Sequence, residues 1–359
     1  MLIDLVVGCR PNFVKAAAIL EAAKEFPRIR VRLLHTSQHN AKIADPLFED
    51  LGLPAPNRAF EDYNLYGPHV RLGRMIADLS LHFGTSEKPD YVMVVGDTDS
   101  TLAGAIAAKK NGLKLVHVEA GLRCGDDNMQ EEINRKAVDS ISDIMYATTQ
   151  GAKDILIREG HTPWLVKVVG NVMADTLLLN LPKAVKKYPE KKFASYGMLT
   201  LHRAENVNNK ARMDELNDAL TEVCKEHQVI FPIHPRYYSW ENQIPGLWIV
   251  PPMGYLEFIA TMARAKFVIT DSGGVQEETT ILGVPCFTIR DNTERPETCH
   301  QGTNTIVGTD GGAILAGIQK LEPWAPTSAI PPLWEGKAAV RILKDLSSRF
   351  VVASAELAF

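Results

Sequence analysis

The stretch that decides the fold runs from Val116 to Arg135 and reads VHVEAGLRCGDDNMQEEINR. It begins as the end of an apolar run, passes through a turn with two glycines, and ends in the pattern of a first helical turn. Strand, turn and helix in this order build open α/β sheets, whose ligands bind at the carboxyl ends of the strands. Glu119 closes the apolar run, and a glutamate there is costly unless it is paired or used. The stretch therefore predicts an α/β fold and the floor of an active site.

Composition limits the class of protein. The chain of 359 residues is too long for one ordinary core, and a prior of about 150 residues per domain predicts two domains. Apolar residues make up 45% and charged residues 23%, which is typical of a globular protein. The net charge of -4 implies no basic surface, so we expect no nucleic-acid partner. Without a long apolar run or a signal sequence, we expect no membrane partner and a cytoplasmic protein.

Scattered cysteines argue against disulfides and structural zinc. They are Cys9, Cys124, Cys224, Cys286 and Cys299. None forms a CxxC pair and their number is odd, which favours reduced thiols. No pair of histidines shows metal-binding spacing with a carboxylate, so we also expect no metal site.

The succession of apolar run, turn and helical pattern recurs along the chain. In the first half the runs are Leu2–Val7, Val31–Thr36, Tyr91–Val95 and Leu113–Val118; the second half restarts at Met198–Leu201. Strands alternating with helices predict parallel sheets covered on both faces. We predict two doubly wound Rossmann-like domains, 1–180 and 181–344, facing across a cleft that strand ends line. Residues 180–196 read as a linker, and a helical pattern begins at Lys337.

The first turn carries two cations. Gly8-Cys9-Arg10-Pro11 follows the first apolar run, and Lys15 comes shortly after it. Backbone N–H groups and the dipole of a helix N-terminus favour an anion at such a place. The turn therefore predicts a phosphate contact; the alternative is a tight turn with solvated surface charges.

A stronger nucleotide signal lies in the second half, at Asp271-Ser272-Gly273-Gly274. Glycines after a buried strand let backbone N–H groups approach a diphosphate, and Ser272 can donate a further bond. Glu278, about one helical turn further on, has the position to hold ribose hydroxyls. The alternative is a Gly-Gly turn without a ligand.

Three carboxylates follow a strand or open a helix in the first half: Asp97, Glu119 and Glu131. Helix capping would explain Asp97 and one of the pair Glu131 and Glu132, but it does not explain Glu119. Converging carboxylates beside cations suit general acid/base chemistry.

Histidines recur at the predicted strand ends, at His39, His202 and His234. A lone histidine is more often structural than catalytic. His202 is followed by Arg203, and a cationic pair at this place would stabilise a leaving diphosphate.

Short motifs, in order along the chain, closely resemble those of the non-hydrolysing UDP-N-acetylglucosamine 2-epimerases. In the first half they are GxRPxxxK from Gly8, TxQH from Thr36, GDTxSTLAGA from Gly96, HVEAGLR from His117 and EEINR from Glu131. In the second half they are TLHRAEN from Thr200, the pair His234 and Pro235, TDSGGxQEE from Thr270 and ERPE from Glu294. The resemblance covers most of the chain.

The resemblance implies a GT-B fold, in which a C-terminal helix, here about residues 345–359, packs back on the first domain. It also implies a homodimer, a UDP-sugar substrate held mainly by the second domain, and no cofactor. In the family, UDP is eliminated across C1 and C2 to give a 2-acetamidoglucal, and UDP then adds back with C2 inverted.

Matched motif by motif, the resemblance also implies the residues of the site. The acid/base carboxylates are Asp97, Glu119 and Glu131, and His202 lies on the diphosphate side. The substrate contacts are Arg10, Lys15, His234, Met253, Phe258, Ser272, Gly273, Gly274, Glu278 and Arg295, with Phe258 and Met253 near the uracil. Removal of the C2 proton is assigned to Asp97 or Glu131, with Glu119 orienting.

Some positions depart from the family pattern. Cys9 and Asn12 replace the usual threonine and glutamate, and the proline common before the paired glutamates is missing at residues 128–130. Residues 40–42 lack the Arg-Glu-Met of typical bacterial members, some of which bind a second, activating substrate molecule nearby, so we predict no such activation.

Four alternative functions stay open. The form HRAEN also occurs in relatives that act on UDP-2,3-diacetamido-2,3-dideoxyglucuronate, which makes that sugar one alternative substrate. The others are a hydrolysing epimerase that releases free N-acetylmannosamine, a GT-B glycosyltransferase and a non-catalytic nucleotide-sugar sensor.

Overall fold

The computed structural model describes residues 1–37, 41–61, 63, 66–85, 87–189, 195–203, 206, 209–233, 244–308, 310–320 and 330–356. The chain divides into two compact units, Met1–Leu178 with Pro332–Phe359, and Leu179–Pro331. The first unit is thus discontinuous in sequence. The return to it begins at Pro332, earlier than the residue 345 expected from the sequence.

A parallel sheet forms the centre of the first unit. Its described strands are β1 (Leu2–Val7), β2 (Arg30–His35), β3 (Arg58–Ala59), β4 (Tyr91–Val95), β5 (Leu115–Ala120), β6 (Ile144–Ala147) and β7 (Val166–Val168). They lie in the order β3-β2-β1-β4-β5-β6-β7, and every neighbouring pair is parallel. The strand order reverses between β1 and β4, the point at which doubly wound sheets bind ligands.

Helices alternate with these strands, as the sequence pattern predicts. They are α1 (Arg10–Ala23), α2 (Ala41–Leu51), α3 (Pro68–Thr85), α4 (Asp99–Lys110), α5 (Gln130–Ile141), α6 (Gln150–Arg158) and α7 (Val172–Lys187). The alanine-rich composition of α4 allows it to lie close on the sheet. A Cβ on Gly104 would lie 3.0 Å from Val94 Cγ1 and 3.2 Å from Val6 Cβ.

The predicted linker from Asn180 to Tyr196 is wrong in its first part, because α7 continues to Lys187 with Pro182 inside the helix. The lysines and prolines of this stretch suggested a loop. The leucines of residues 177–179 and 181 extend the helical pattern into it, and this pattern outweighs the prolines and lysines.

The second unit repeats the architecture of the first. Its described strands are β8 (Gly197–Thr200), β9 (Val229–Pro232), β10 (Leu247–Val250), β11 (Val268–Thr270), β12 (Cys286–Thr288) and β13 (Asn304–Ile306). They lie in the order β10-β9-β8-β11-β12-β13, again all parallel, so the strand order reverses between β8 and β11. Its helices are α8 (Lys210–Glu226), α9 (Tyr255–Met262), α10 (Gly273–Leu282), α11 (Pro296–His300) and α12 (Gly311–Gln319). The two doubly wound α/β sheets confirm the predicted fold class.

The last segment completes the first unit. Trp334 is buried and donates from its indole N–H to the carbonyl of Thr148, 3.2 Å away. Helix α13 (Ala338–Glu356) follows, and Asp175 accepts from the N–H groups of Ala338 and Ala339 at 3.1 and 2.8 Å. These bonds satisfy two N–H groups at the helix N-terminus that have no partner within the helix. Helix α13 also packs against α1.

No helix among the described residues has the length and apolar character needed to cross a membrane.

Candidate active site

Three neighbouring strand ends of the first unit carry the predicted chemistry. β1 pairs with β4 and β4 with β5. Arg10 and Asp97 follow β1 and β4, and Glu119 is the second-last residue of β5. Because carboxyl ends of parallel strands meet at one edge, the topology brings the three segments together beside the switch point. Arg10 is exposed at the first turn of α1.

Glu119 occupies an unusual backbone position. Its φ is 75°, and the register of β5 with β6 shifts between Val118 and Ala120. A non-glycine residue with positive φ and a bulge are features that recur where a strand re-aims a functional side chain. The carboxylate is buried and forms an ion pair with Lys15 Nζ. The backbone and the ion pair thus position this carboxylate near the end of β5.

Lys15 lies beside Glu119 and the turn after β4. Its side chain is only 5% exposed, and a Cβ on Gly96, whose φ is +72°, would lie 2.6 Å from its Nζ. The positive φ favours glycine at this position, and a Cβ there would displace the ammonium. The structure places the charge of Lys15 beside Glu119, and its contact with a phosphate stays a prediction.

Arg135 holds Asp97. Its Nε and Nη2 donate to Asp97 Oδ2 at 3.0 and 2.6 Å, while Nη1 donates to Glu132 Oε2 at 2.9 Å. Asp97 does not cap α4, because the N-cap residue of that helix is Thr98. The capping alternative for Asp97 is therefore wrong, and its carboxylate is 19% exposed at the strand end.

The paired glutamates at the start of α5 have different surroundings. Glu132 is buried and accepts from the N–H groups of Cys124 and Gly125 at 3.1 and 3.3 Å. Glu131 is exposed on the same first turn. Glu132 therefore fixes the loop that precedes the helix, which leaves Glu131 as the member of the pair at the surface.

Asn12 ties the first turn to the neighbouring one. Its Oδ1 accepts from Gly8 N–H, Cys9 Sγ and Thr98 Oγ1 at 3.2, 3.2 and 3.1 Å, and its Nδ2 donates to Val95 O at 2.9 Å. Burial raises the pKa of the Cys9 thiol to about 12, so this cysteine is a neutral packing group rather than a nucleophile.

A buried carboxylate in the second unit organises His202. Asp271 Oδ1 lies 2.9 Å from His202 Nδ1, and the carboxylate accepts from the N–H groups of His202 and Arg203 at 3.1 and 3.0 Å. Burial raises the pKa of Asp271, but the bonds and charge of His202 and the N–H of Arg203 outweigh it, so the pKa lies below its ordinary value. The ring of His202 is half exposed with its Nδ1 side fixed.

The predicted nucleotide turn forms the start of α10. Ser272 is the N-cap residue, and Gly273 and Gly274 begin the helix, all partly exposed. Helix N-termini of this kind bind phosphate through backbone N–H groups and the dipole. Glu278, buried one turn further on, accepts from Tyr255 Oη at 3.2 Å.

Arg295 lies directly beside this turn. A Cβ on Gly273 would lie 2.4 Å from its Nη1. The guanidinium is buried and paired with Glu294 and with Glu277 Oε1, the latter at 2.8 Å. Two carboxylates thus offset its charge, and its contact with nucleotide stays a prediction.

The remaining predicted contacts lie on or before α9. Met253 is buried, and Phe258 on the helix is partly exposed. The predictions for His39 and His234 concern residues outside the described ranges. Among the residues that the structure describes, no group of three or more His, Cys, Asp or Glu side chains is arranged to hold a metal ion.

Sequence reasoning missed three residues that organise the site: Glu132, Arg135 and Asp271. Each lies within a quoted motif, next to a predicted site residue or one helical turn from it. The available signals were an arginine one helical turn after Glu131 and an aspartate directly after an apolar run.

Known proteins are similar to this chain in sequence and in fold. A family described as UDP-N-acetylglucosamine 2-epimerase matches residues 21–347. A UDP-N-acetylglucosamine 2-epimerase of Methanococcus maripaludis is 39% identical over 343 residues, covering 89% of this chain and 91% of the relative. A UDP-2,3-diacetamido-2,3-dideoxy-D-glucuronate 2-epimerase of Pseudomonas aeruginosa is 38% identical over 324 residues, covering 88% and 90%. The crystal structure of the Methanocaldococcus jannaschii UDP-GlcNAc 2-epimerase with UDP-GlcNAc and UDP is similar with a TM-score of 0.89 and 37% identity, over 97% of this chain and 100% of that one.

Proposed function

Because the chain belongs to the UDP-N-acetylglucosamine 2-epimerase family, we propose that it interconverts UDP-N-acetylglucosamine and UDP-N-acetylmannosamine without hydrolysis. The observation that carries this proposal is the set of strand ends bearing Asp97 and Glu119, which form ion pairs with Arg135 and Lys15 beside the switch point. No cofactor enters the proposed reaction.

The reaction proceeds through elimination and addition. The C2 proton is not acidic on its own, so the base acts while the C1–oxygen bond is breaking. The electrons of the C2–H bond form the C1=C2 bond of 2-acetamidoglucal, and the C1–oxygen pair leaves with UDP. UDP then adds back to C1, and a proton returns to C2 on the opposite face.

Inversion requires acid/base groups that reach both faces of the sugar. We assign them to Asp97 and Glu131, which lie on separate elements, one after β4 and one on the first turn of α5. Glu119 orients the sugar, and its carboxylate, positioned by the ion pair with Lys15, stabilises the positive charge that grows on the ring.

The second unit binds UDP in this proposal. The N-terminus of α10, with Ser272, Gly273 and Gly274, holds the diphosphate, and His202 stabilises it as it leaves. Glu278 holds the ribose, and Met253 and Phe258 lie near the uracil. Arg10, Lys15, His234 and Arg295 complete the proposed substrate contacts.

Deuterium exchange tests the proposed reaction. Incubation of the protein with UDP-N-acetylglucosamine in deuterium oxide is expected to place deuterium at C2 of both epimers, as NMR would show. Asp97→Asn is expected to lower the exchange rate at least about 100-fold, because general acid/base groups contribute 10²–10⁴-fold. Absence of deuterium at C2 would overturn the epimerase mechanism, and free N-acetylmannosamine as the main product would indicate the hydrolysing branch.

A second sugar has support from one relative. The Pseudomonas aeruginosa enzyme named for UDP-2,3-diacetamido-2,3-dideoxy-D-glucuronate is 38% identical, against 39% for the Methanococcus maripaludis enzyme. Identity therefore does not separate the two sugars. A comparison of kcat/KM for both substrates does, and we expect the higher value for UDP-N-acetylglucosamine.

The family resemblance implies an assembly, and features of this sequence favour a location and a kinetic behaviour. We propose a homodimer, which light scattering tests, in the cytoplasm, where the scattered cysteines would stay reduced. We expect a hyperbolic rate curve without activation by substrate. A sigmoidal curve in the product direction that straightens on addition of traces of substrate would contradict this.

A further inference from the structure

His117 and Asp139 form a buried pair within the first unit. His117 lies in β5 opposite Val94 of β4, and both side chains of the pair are 0% exposed. His117 Nδ1 lies 2.6 Å from Asp139 Oδ1, and Nε2 lies 2.9 Å from the carbonyl oxygen of Gly96.

Both ring nitrogens of His117 lie against hydrogen-bond acceptors. A carbonyl oxygen only accepts, so Nε2 donates to Gly96. Burial raises the pKa of Asp139, but the charges and hydrogen bonds of His117 and Arg123 outweigh it and keep the pKa below its ordinary value. An ionised Asp139 accepts hydrogen bonds as well, so the ring is held at both nitrogens, by Gly96 after β4 and by Asp139 on α5.

The pair connects three segments of the proposed site. Gly96 immediately precedes Asp97, whose own carbonyl accepts from Asn134 of α5 at 2.9 Å. Asp139 lies on α5, the helix that carries Glu131. Its Oδ2 accepts from the N–H of Gly121 at 3.1 Å and from Arg123 Nη2 at 2.8 Å, just beyond Glu119.

Each of the three proposed site carboxylates, Asp97, Glu119 and Glu131, therefore follows or lies on a segment that this pair binds. We propose that His117 and Asp139 are positioning residues of the epimerisation, which hold the turn after β4, the end of β5 and helix α5 in one arrangement. This inference rests on the proposed function. Displacements of about 1 Å are enough to lower a rate about 100-fold, and rigid buried bonds prevent them.

Two conservative variants separate the two bonds of the ring. The amide nitrogen of His117→Gln replaces Nε2 and keeps the bond to Gly96, whereas that of His117→Asn replaces Nδ1 and keeps the bond to Asp139. We expect kcat to fall about 100-fold in His117→Asn and clearly less in His117→Gln, with KM within about threefold of wild type in both.

Val138→Ala is the matched control. Val138 is fully buried on α5 beside Asp139, and its truncation lowers stability without removing a bond of the pair. We expect this control to keep the wild-type kcat at a similar loss of Tm. Equal kcat in the two His117 variants, or an equal loss of kcat in Val138→Ala, would overturn the positioning role.

A further variant keeps the inference testable if the His117 variants do not fold. Asp139→Asn retains an oxygen that accepts from His117 but loses the charge, so a loss of kcat like that of His117→Gln is expected at constant KM, because both variants act on the bond between His117 and Asp139. An Asp139→Asn protein with the wild-type kcat would contradict the inference. If wild type exchanges deuterium at C2 and the His117 variants exchange it at the same rate, the positioning role is overturned while the proposed function stays intact.

Discussion

Glu119 combines a positive φ, burial and an ion pair in one residue. The backbone conformation costs on the order of 1–3 kcal/mol, and it persists where the surrounding structure holds it. Lys15 provides part of that hold, since its ammonium pairs with the carboxylate away from water. The proposed role of Glu119 and the stability of the first unit are therefore coupled at this residue.

Removal of the Glu119 charge is expected to destabilise the first unit. In Glu119→Gln the buried ammonium of Lys15 loses this carboxylate, and breaking such a buried pair costs about 3–5 kcal/mol. Denaturant unfolding measures the loss, and activity is expected to disappear with it.

The double variant Lys15→Met with Glu119→Gln separates the two effects. It removes the ammonium as well, so most of the stability should return while activity stays lost. A Glu119→Gln protein as stable as wild type would show that the ion pair contributes nothing to folding.

Asp271 makes the stability of the second unit dependent on pH. Its pKa is depressed in the folded protein, so its contribution is complete above the pKa of the unfolded chain and is lost as pH falls through the folded pKa. The difference in the free energy of unfolding between wild type and Asp271→Asn should therefore shrink as pH falls from about 5 to about 2.

Asp291→Asn is the control for this titration. Asp291 is 70% exposed and pairs with Arg212 at 3.3 Å, and exposed pairs contribute about 0–1 kcal/mol. Its effect on urea or guanidinium unfolding should stay small at every pH. A difference for Asp271→Asn that is constant over the acid range would contradict the depressed pKa.

At the scale of residues, the sequence indicated where the site residues lie along the chain better than it indicated which residues they contact. The strand ends were visible because apolar runs stop at Asp97 and Glu119. The partner of Asp97 was not, because Arg135 reaches it only after α5 has folded beside β5. Contacts between segments 38 residues apart depend on packing that no local pattern encodes.

Helices α3 and α4 show how one residue type has opposite roles in two elements. Gly73 is exposed inside α3 and a Cβ there would have nothing within 4 Å, while Gly104 inside α4 faces Val6 and Val94. The helical pattern alone treats both glycines alike.

The two glycine-to-alanine variants should therefore differ in sign. Gly73→Ala is expected to stabilise by about 1 kcal/mol, because glycine is that much poorer than alanine in a helix. Gly104→Ala is expected to destabilise by about 1–3 kcal/mol, because its methyl group overfills the contact between α4 and the sheet. Thermal unfolding checks both, and an increase in Tm for Gly104→Ala would contradict the packing.

At the scale of elements, alternation of strands and helices was predictable and one boundary was not. Buried parallel strands are continuous apolar runs bounded by turn residues, so β1, β4 and β5 are visible in the sequence. The lysines and prolines between residues 180 and 196 indicated a linker. Helix α7 extends through Pro182, because the leucine pattern before it outweighs the local signal.

At the scale of the molecule, the first unit depends on the last part of the chain. Trp334, Ile342, Leu343 and Leu346 are buried in it, and each large apolar side chain contributes about 1.5–3 kcal/mol on burial. Residues 1–178 alone would leave uncovered the surface on which these side chains pack.

We therefore expect residues 1–178 alone to lack a cooperative thermal transition by circular dichroism. Fusion of residues 332–359 behind residue 178 through a flexible Gly/Ser linker should restore the transition. The matching fragment 179–331 carries its own sheet and serves as the comparison. Equal melting of residues 1–178 with and without the fused segment would contradict this expectation.

The split first unit also has a consequence for biosynthesis. A ribosome makes residues 1–178 first, then the whole of the second unit, and only then Trp334 and α13. At about 5–20 residues per second, the nascent first unit waits on the order of ten seconds or more for its final helix, while the second unit already has all of its strands. The order of completion on the ribosome is therefore the reverse of the order of the two units in the sequence.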